Sequence, residues 1–423
     1  MISTKNYFKN FMRINDIIGE KKMKFEELNI NRKLVEKTHE QGFKELTIIQ
    51  EKCLPEIING KDVVGQAETG SGKTLAFCLP ILDRIVPGKG LQVLILIPTR
   101  ELCVQVTDVF FDYGKPLGIK TTSVYGGVGI EPQIKNIRTS EIVVGTPGRI
   151  LDHLGRKTID FRNIEFLVID ETDKMFEMGF IDDVERIICQ VPRRRQTLMF
   201  SATISSGIHG LMNSHLNNPL VVKTQSCVDK SKLRQVYYDI YQQNNKFSIL
   251  VHLLKNNTSG LAIVFCATRR ESDIVARNLK HQGINASAIH GGMSQNKRLQ
   301  SLDALKNQRT DVLVATDVAA RGLDIKNVTH IYNYDVPKTS TDYIHRIGRT
   351  ARAGANGAAI TLLTERDHDN FRRVQSNDDL IIEKADIPDF KKVPFIRGFE
   401  QRQRPFRGQH RRSFDHRPRP RFF

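Results

Sequence analysis

The sequence predicts an α/β protein of two tandem parallel-sheet domains followed by a disordered basic C-terminal tail, and three observations predict it. Short apolar runs such as Val93–Ile97, Phe166–Ile169 and Val312–Ala315 alternate with longer amphipathic segments, the pattern of strands covered by helices on both faces. The second half also echoes the first. Thr99-Arg100-Glu101 is matched by Thr268-Arg269-Arg270-Glu271, Gly126-Gly127 by Gly291-Gly292, and Thr146 by Thr316, at offsets of 169, 165 and 170 residues. Finally, 423 residues exceed one ordinary core and suit two, each of about 150 to 200 residues.

Taken in order, residues 1–23 carry scattered charge without an apolar run, and read as an N-terminal extension outside the working start near Met23. The first domain is expected over 24–222. Phe25 to Gly42 suits an extended entry and an amphipathic helix, and Gly42 to Gln50 leads into a second helix ending at Asn59-Gly60. An opening strand starts at Asp62 and runs into a loop and helix, and strands follow at Val93–Ile97, Ser123–Tyr125, Glu141–Val144, Phe166–Ile169 and Thr197–Phe200, with a helix over Thr99–Phe111. Asn217-Asn218-Pro219 and the polar run to Lys232 mark a linker, placed at 223–232, and the second domain is expected over 233–388. The tail, 389–423, ends in a stretch from Arg397 with nine Arg against Glu400 and Asp415, five Phe and three Pro, a mixture that cannot form a core.

Bulk properties narrow the function. A net charge of +17 points to a polyanionic partner, nucleic acid first. The six cysteines fall in no metal or redox spacing, which suits core positions in a reducing cytoplasm, and no run of residues is apolar enough to span a membrane. His39, His153, His281 and His330 have no second ligand at a metal spacing and are expected at the surface or satisfied in the core.

The chemistry begins at Ala67-Glu68-Thr69-Gly70-Ser71-Gly72-Lys73-Thr74, a turn between a strand and the apolar helix that starts at Leu75. Gly70 and Gly72 let backbone N–H groups and a helix N-terminus face an anion, Lys73 can reach β- and γ-phosphates, and Thr74 can hold Mg²⁺. The strict phosphate-loop pattern wants Gly at 67, so it fails here by one residue. About 100 residues later the strand Phe166–Ile169 delivers Asp170 and Glu171, one carboxylate to orient Mg²⁺ and one to orient and deprotonate water. At the place in the second half that matches the phosphate loop, Tyr241 to Lys246, no glycine occurs, so one nucleotide is expected rather than two.

Over residues 24 to 375 or so, these motifs resemble those of the DEAD-box RNA helicases of superfamily 2, whose phosphate loop begins with Ala. The acidic motif is a DETD variant, Asp170-Glu171-Thr172-Asp173, with Thr172 in place of the name-giving Ala. The resemblance implies two RecA-like domains, RNA-stimulated hydrolysis of ATP with Mg²⁺, and local unwinding of RNA duplexes or remodelling of ribonucleoprotein. It implies adenine reading by Gln50 and stacking by Phe25; Leu46 stands where Pro is usual. It implies an RNA-backbone track of Pro98, Thr99, Arg100, Gly126, Gly127, Thr146, Pro147, Gly148 and Arg149, continued on the second domain by Thr268, Gly291, Gly292, Gln295, Arg298 and Thr316. Asp317 and Gly322 would reach the nucleotide across the cleft, and Arg349 and Arg352 would act as fingers, with Ala351 where Gly is usual. Asp173, Ser201, Thr203, His345 and Arg346 would couple hydrolysis to unwinding. RNA is the implied partner, with ribosomal or RNA-decay assemblies as candidates, and the chain is expected to act as a cytoplasmic monomer. An ATP-gated RNA clamp and a translocating DNA helicase stand as alternative readings.

Overall fold

The computed structural model describes residues 23–397 apart from 69, 225–231, 257, 259, 308, 321–324, 326 and 352–355. The first sheet contains β1 (Val63–Gln66), β2 (Val93–Leu96), β3 (Thr121–Val124), β4 (Ile142–Gly145), β5 (Phe166–Ile169), β6 (Gln196–Ser201) and β7 (Leu220–Lys223). The second contains β8 (Leu233–Asp239), β9 (Leu261–Phe265), β10 (Ala286–Ile289), β11 (Val312–Ala315), β12 (Val328–Asn333), β13 (Gly357–Leu363) and β14 (Glu383–Lys384). Their orders, β3-β4-β2-β5-β6-β1-β7 and β10-β11-β9-β12-β13-β8-β14, are the same order shifted by seven strands, which establishes the duplication that three short echoes only suggested. All the ladders within both sheets are parallel.

Burial explains why the strands read as continuous apolar runs. β2, β4, β5 and β11 are buried at every position because helices cover both faces, and each sheet separates two hydrophobic clusters. The loops leaving the C-terminal ends of β1 to β6 share one rim, the usual place for a ligand crevice in an open α/β sheet. Among the described residues, no helix is long and apolar enough to cross a membrane.

Three local expectations change. β7 falls inside the stretch expected to end in linker; it is an edge strand with one buried residue, so its pattern carries little signal. Residues 389–397, placed in the tail by composition, pack on the second domain. Val393 N–H donates to Ser248 Oγ at 3.1 Å, Ile396 N–H donates to Asn278 Oδ1 at 2.9 Å, and the Phe395 and Phe247 rings lie 4.8 Å apart. Phe390, Val393 and Phe395 supply the apolar contacts that their lysine-rich surroundings hid. Cys53, Cys78, Cys103 and Cys266 are buried, but Cys189 is exposed at the end of the helix Ile181–Ile188; Cys227 lies outside the described residues. His153 is a satisfied core residue, between Thr158 Oγ1 at 2.8 Å and Gln133 Oε1 at 3.1 Å.

Candidate active site and nucleic-acid interface

The turn after β1 is built for close approach. Gly70 and Gly72 have φ of 89° and 96°, in the left-handed region, and a Cβ on Gly72 would come within 2.5 Å of Gln50 Nε2. Gln50 is buried and braced against the turn: Nε2 donates one N–H to Gly72 O at 3.0 Å, and Oε1 accepts from Thr47 N–H at 3.0 Å. Leu46, in place of the usual Pro, donates its N–H to Met23 O at 3.0 Å, a bond that Pro could not make, so the loop gains by pairing the order it lacks from a ring. Phe25, expected to stack on adenine, is 1% exposed in the core and leaves no open ring face here.

Lys73 opens the helix Lys73–Arg84, and its Nζ donates to Ala67 O at 2.8 Å and lies 3.4 Å from Glu171 Oε1. Burial pulls its ammonium down, but the carboxylates of Glu171, Asp170 and Asp173 outweigh that and hold it charged. Burial raises Asp170 to about 6, opposed by Lys73 and reinforced by the charge on Glu171. Burial also opposes ionisation of Glu171, yet Lys174 and Lys73 together hold it well below the ordinary carboxylate range. Ser71 Oγ is buried with no hydrogen-bond partner among the described residues. An orphaned hydroxyl, left-handed glycines, a lysine and a buried carboxylate fit a phosphate-bound cation, with Thr74 half-buried in the first helical turn. Glu68 lies on the same turn; Thr69 is outside the described residues.

Glu171 itself has φ of 53°, a strained conformation for a residue with a Cβ. Lys174, one turn on, pairs with its Oε2, a contact that sequence reading missed because it arises only once the helix Thr172–Glu177 forms. Thr172 Oγ1 donates to Phe200 O at 3.1 Å, tying the acidic motif to β6. Asp173 Oδ2 then accepts from Ala202 N, Thr203 N and Thr203 Oγ1 at 3.1, 2.9 and 3.2 Å, and Ser201 Oγ accepts from Asp173 N at 3.1 Å and donates to Thr203 O at 2.7 Å. These bonds join the carboxylate motif rigidly to the loop after β6.

On the same rim, Thr99 caps the helix Arg100–Gly114, next to Pro98, and the Arg100 guanidinium lies against Gly126 and Gly127, where a side chain at either would meet it. Arg149 donates to Val128 O at 3.2 Å and Gln133 Oε1 at 3.3 Å, holding the glycine loop beside the helix Pro147–Gly155 that Thr146 precedes and Gly148 leaves open. The second domain repeats this: Thr268 caps the helix Arg269–His281 and Arg269 lies against Gly291 and Gly292. Arg269 thus occupies the place in the second domain that Arg100 has in the first, a match the sequence offered at the same offset as Thr99 and Thr268. Thr316 is buried at the end of β11.

The halves meet across the cleft. Gln295 Nε2 donates to Glu101 Oε1 at 3.0 Å and Arg298 Nη2 lies 3.0 Å from Glu101 Oε2. Both were expected on the RNA track; here their side chains are engaged by a buried carboxylate of the first domain, which no local pattern could reveal. Buried Arg349 acts electrostatically on Glu171 and Lys174, and burial together with that positive neighbour lowers Lys174 despite Glu171. Asp317 takes a two-pronged contact from Arg346, at 2.5 and 2.7 Å, on the helix Ser340–Ile347 that also carries His345. Gly322 and Arg352 lie outside the described residues.

A phosphate loop and paired carboxylates on one sheet, faced by an arginine from a second copy of that sheet, define a nucleoside-triphosphatase of two RecA-like domains. Residues 47–210 match the DEAD/DEAH box helicase family and residues 245–354 the helicase conserved C-terminal domain. The chain is 44% identical over 354 residues to the ATP-dependent RNA helicase CshA of Listeria monocytogenes, spanning 83% of this chain and 68% of that protein. It is 41% identical over 367 residues to the DEAD-box ATP-dependent RNA helicase CshA of Bacillus cereus, spanning 86% and 70%. Its fold is similar to that of S. cerevisiae Dbp5 bound to RNA and ADP BeF3, at TM-score 0.78 and 30% identity over 86% of this chain and 96% of that one. A DEAD box protein from Methanococcus jannaschii matches at TM-score 0.53 and 37% identity, over 86% and 99%. The chain therefore belongs to the DEAD-box ATP-dependent RNA helicases.

Proposed function

We propose that the cleft hydrolyses ATP only when RNA lies along the rim shared by both domains, and that the single catalytic turnover releases a locally deformed strand. Glu101 of the first domain, accepting from Gln295 and pairing with Arg298 of the second at 3.0 Å each, is the observation that carries this reading: the halves meet beside the phosphate-loop rim, with buried Arg349 on the side of the second domain that bears on Glu171. In this reading the turn from Ala67 to Thr74 and Lys73 bind the phosphates, with Gln50 at the adenine. Thr74 and Asp170 would hold Mg²⁺, whose charge would offset that of the phosphates. Glu171, kept ionised by two lysines, orients the attacking water and takes its proton. Arg349 and Arg352 stabilise the transferred phosphoryl group, and Asp317 and Gly322 complete the site.

Thr99, Arg100, the glycine pair, Thr146, Arg149 and their second-domain counterparts, with Arg269 added, would grip phosphate and ribose and so bind without reading bases. Gln295 and Arg298 act by holding the domains together on Glu101. One chain supplies every part, which supports a monomer, and a set of buried thiols suits the cytoplasm. ATP turnover should be measured with no RNA and with a panel that includes ribosomal fragments, decay intermediates and single-stranded DNA. Strong stimulation by RNA alone is expected. Equal turnover with and without RNA, or equal stimulation by DNA, would refute the reading.

A further inference from the structure

The second domain keeps a lysine and a carboxylate at the places that correspond to the nucleotide site of the first. Gln66 and Asp239 end β1 and β8, 173 positions apart, and Lys73 and Lys246, each the first residue of the following helix, are also 173 apart. Ile169 faces Leu96 and Asn333 faces Phe265 in corresponding ladders, so Glu171 and Asp335, each two residues further on, correspond. Between β8 and Lys246 no glycine makes room for phosphate. Lys246 is instead sealed at 1% exposure, with Nζ 2.8 Å from Asp367 Oδ2, 3.7 Å from Asp335 Oδ1 and 5.1 Å from the centre of the Tyr334 ring. A buried ammonium enclosed by two carboxylates is spent inside the domain.

Asp335 does more than balance that charge. Its Oδ2 accepts from Ala267 N–H at 2.8 Å, the residue before Thr268, and its Oδ1 accepts from Arg366 Nη2 at 2.8 Å. Its carbonyl accepts from Arg346 Nη1 at 2.6 Å, and the helix that carries Arg346 ends two residues before Arg349. The carboxylate therefore holds the loop that presents Thr268 and Arg269, while the main-chain carbonyl of the same residue, which any side chain here would leave in place, holds the helix that leads to Arg349. Asp367 touches the same lysine, but its other side-chain contacts are to the N–H and hydroxyl of Thr364, at 3.0 and 2.7 Å, away from both.

We propose that Asp335, seated by Lys246, is a positioning residue that fixes the RNA-contacting loop and the arginine finger to each other, so that RNA binding on the second domain aligns Arg349. The inference rests on the roles given above to Thr268 and Arg349. The nucleotide site of one copy has thereby become an internal strut in the other. Asp335→Asn keeps the size and removes the charge, and its amide cannot accept from Ala267, Arg366 and Lys246 together.

The test measures ATP turnover against RNA concentration, nucleotide affinity without RNA, and the thermal midpoint, for Asp335→Asn and Asp367→Asn, with Thr268→Ala and Arg349→Ala as references. Asp335→Asn is expected to lower the RNA-saturated rate at least tenfold and raise the half-saturating RNA concentration severalfold, with RNA-free nucleotide affinity within twofold of wild type. Asp367→Asn is expected to lower the midpoint comparably while leaving RNA stimulation within twofold. Asp335→Glu, which keeps the charge near Lys246 but displaces the carboxylate from Ala267, gives the same comparison where the amide variant does not fold. Loss of stimulation that merely follows the loss of thermal stability in both aspartate variants would overturn the proposal. So would unchanged stimulation in the Asp335 variants while Thr268→Ala and Arg349→Ala abolish it. Full stimulation in those two references would overturn the underlying roles, and the proposal with them.

Discussion

Three residues of the described site break local rules, and each break has a compensation. Glu171 adopts a left-handed backbone that costs about 1–2 kcal/mol in an L-residue, and the ion pairs with Lys73 and Lys174 hold it there. Thr172 takes the place of a methyl group but sends its hydroxyl to Phe200 O, so it strengthens the tie to β6. Thr172→Ala should therefore lower stability by about 1 kcal/mol while leaving ATP turnover nearly intact. Thermal unfolding followed by circular dichroism decides this; an unchanged or raised midpoint would show that the hydroxyl contributes nothing. Ala351 has φ of 53° where the family usually has Gly. Ala351→Gly relieves that strain but gains freedom in the unfolded chain, and a net stabilisation of roughly 0.5–1 kcal/mol is expected in the same experiment. A lower midpoint would mean that the buried methyl group outweighs the backbone.

At the scale of elements, the cleft is held by a carboxylate from one helix and two side chains from another. Glu101 accepts from Gln295 and pairs with Arg298, all three largely buried. Glu101→Gln leaves Arg298 uncompensated when the domains close, so the RNA concentration for half-maximal turnover should rise roughly tenfold. Nucleotide affinity without RNA should hold, since Glu101 is not on the phosphate loop; unaltered RNA dependence would show that the latch is incidental. This latch marks the boundary of what the sequence made legible. The phosphate loop and the acid pair are short, contiguous signals, because the chain must turn sharply at a phosphate and must deliver carboxylates at a strand end. Lys174, Arg269 and the Glu101 latch depend on helices and domains that bring together residues up to 197 positions apart, as Arg298 and Glu101 are, and β7 and residues 389–397 are half-exposed edges whose composition imitates linker and tail.

For the whole molecule, residues 398–423 follow a segment anchored on the second domain and carry eight Arg against Glu400 and Asp415, +6 of the total +17. We expect them to act as a sequence-tolerant RNA anchor, Arg neutralising phosphates and Phe stacking on unpaired bases. Removing them after Arg397, which spares the packed segment, should weaken RNA binding most at low salt and flatten its salt dependence, with the RNA-saturated turnover rate nearly unchanged. Unchanged affinity at low salt would eliminate the anchor.

The central claim, that ATP and RNA each favour the same closed cleft, is tested most directly by RNA affinity of the Glu171→Gln variant with and without ATP. That variant should bind ATP without consuming it and remain closed, so RNA affinity should rise at least tenfold when ATP is added, whereas Lys73→Ala, which removes a phosphate contact, should show no such gain. Equal RNA affinity of Glu171→Gln with and without ATP would contradict the account.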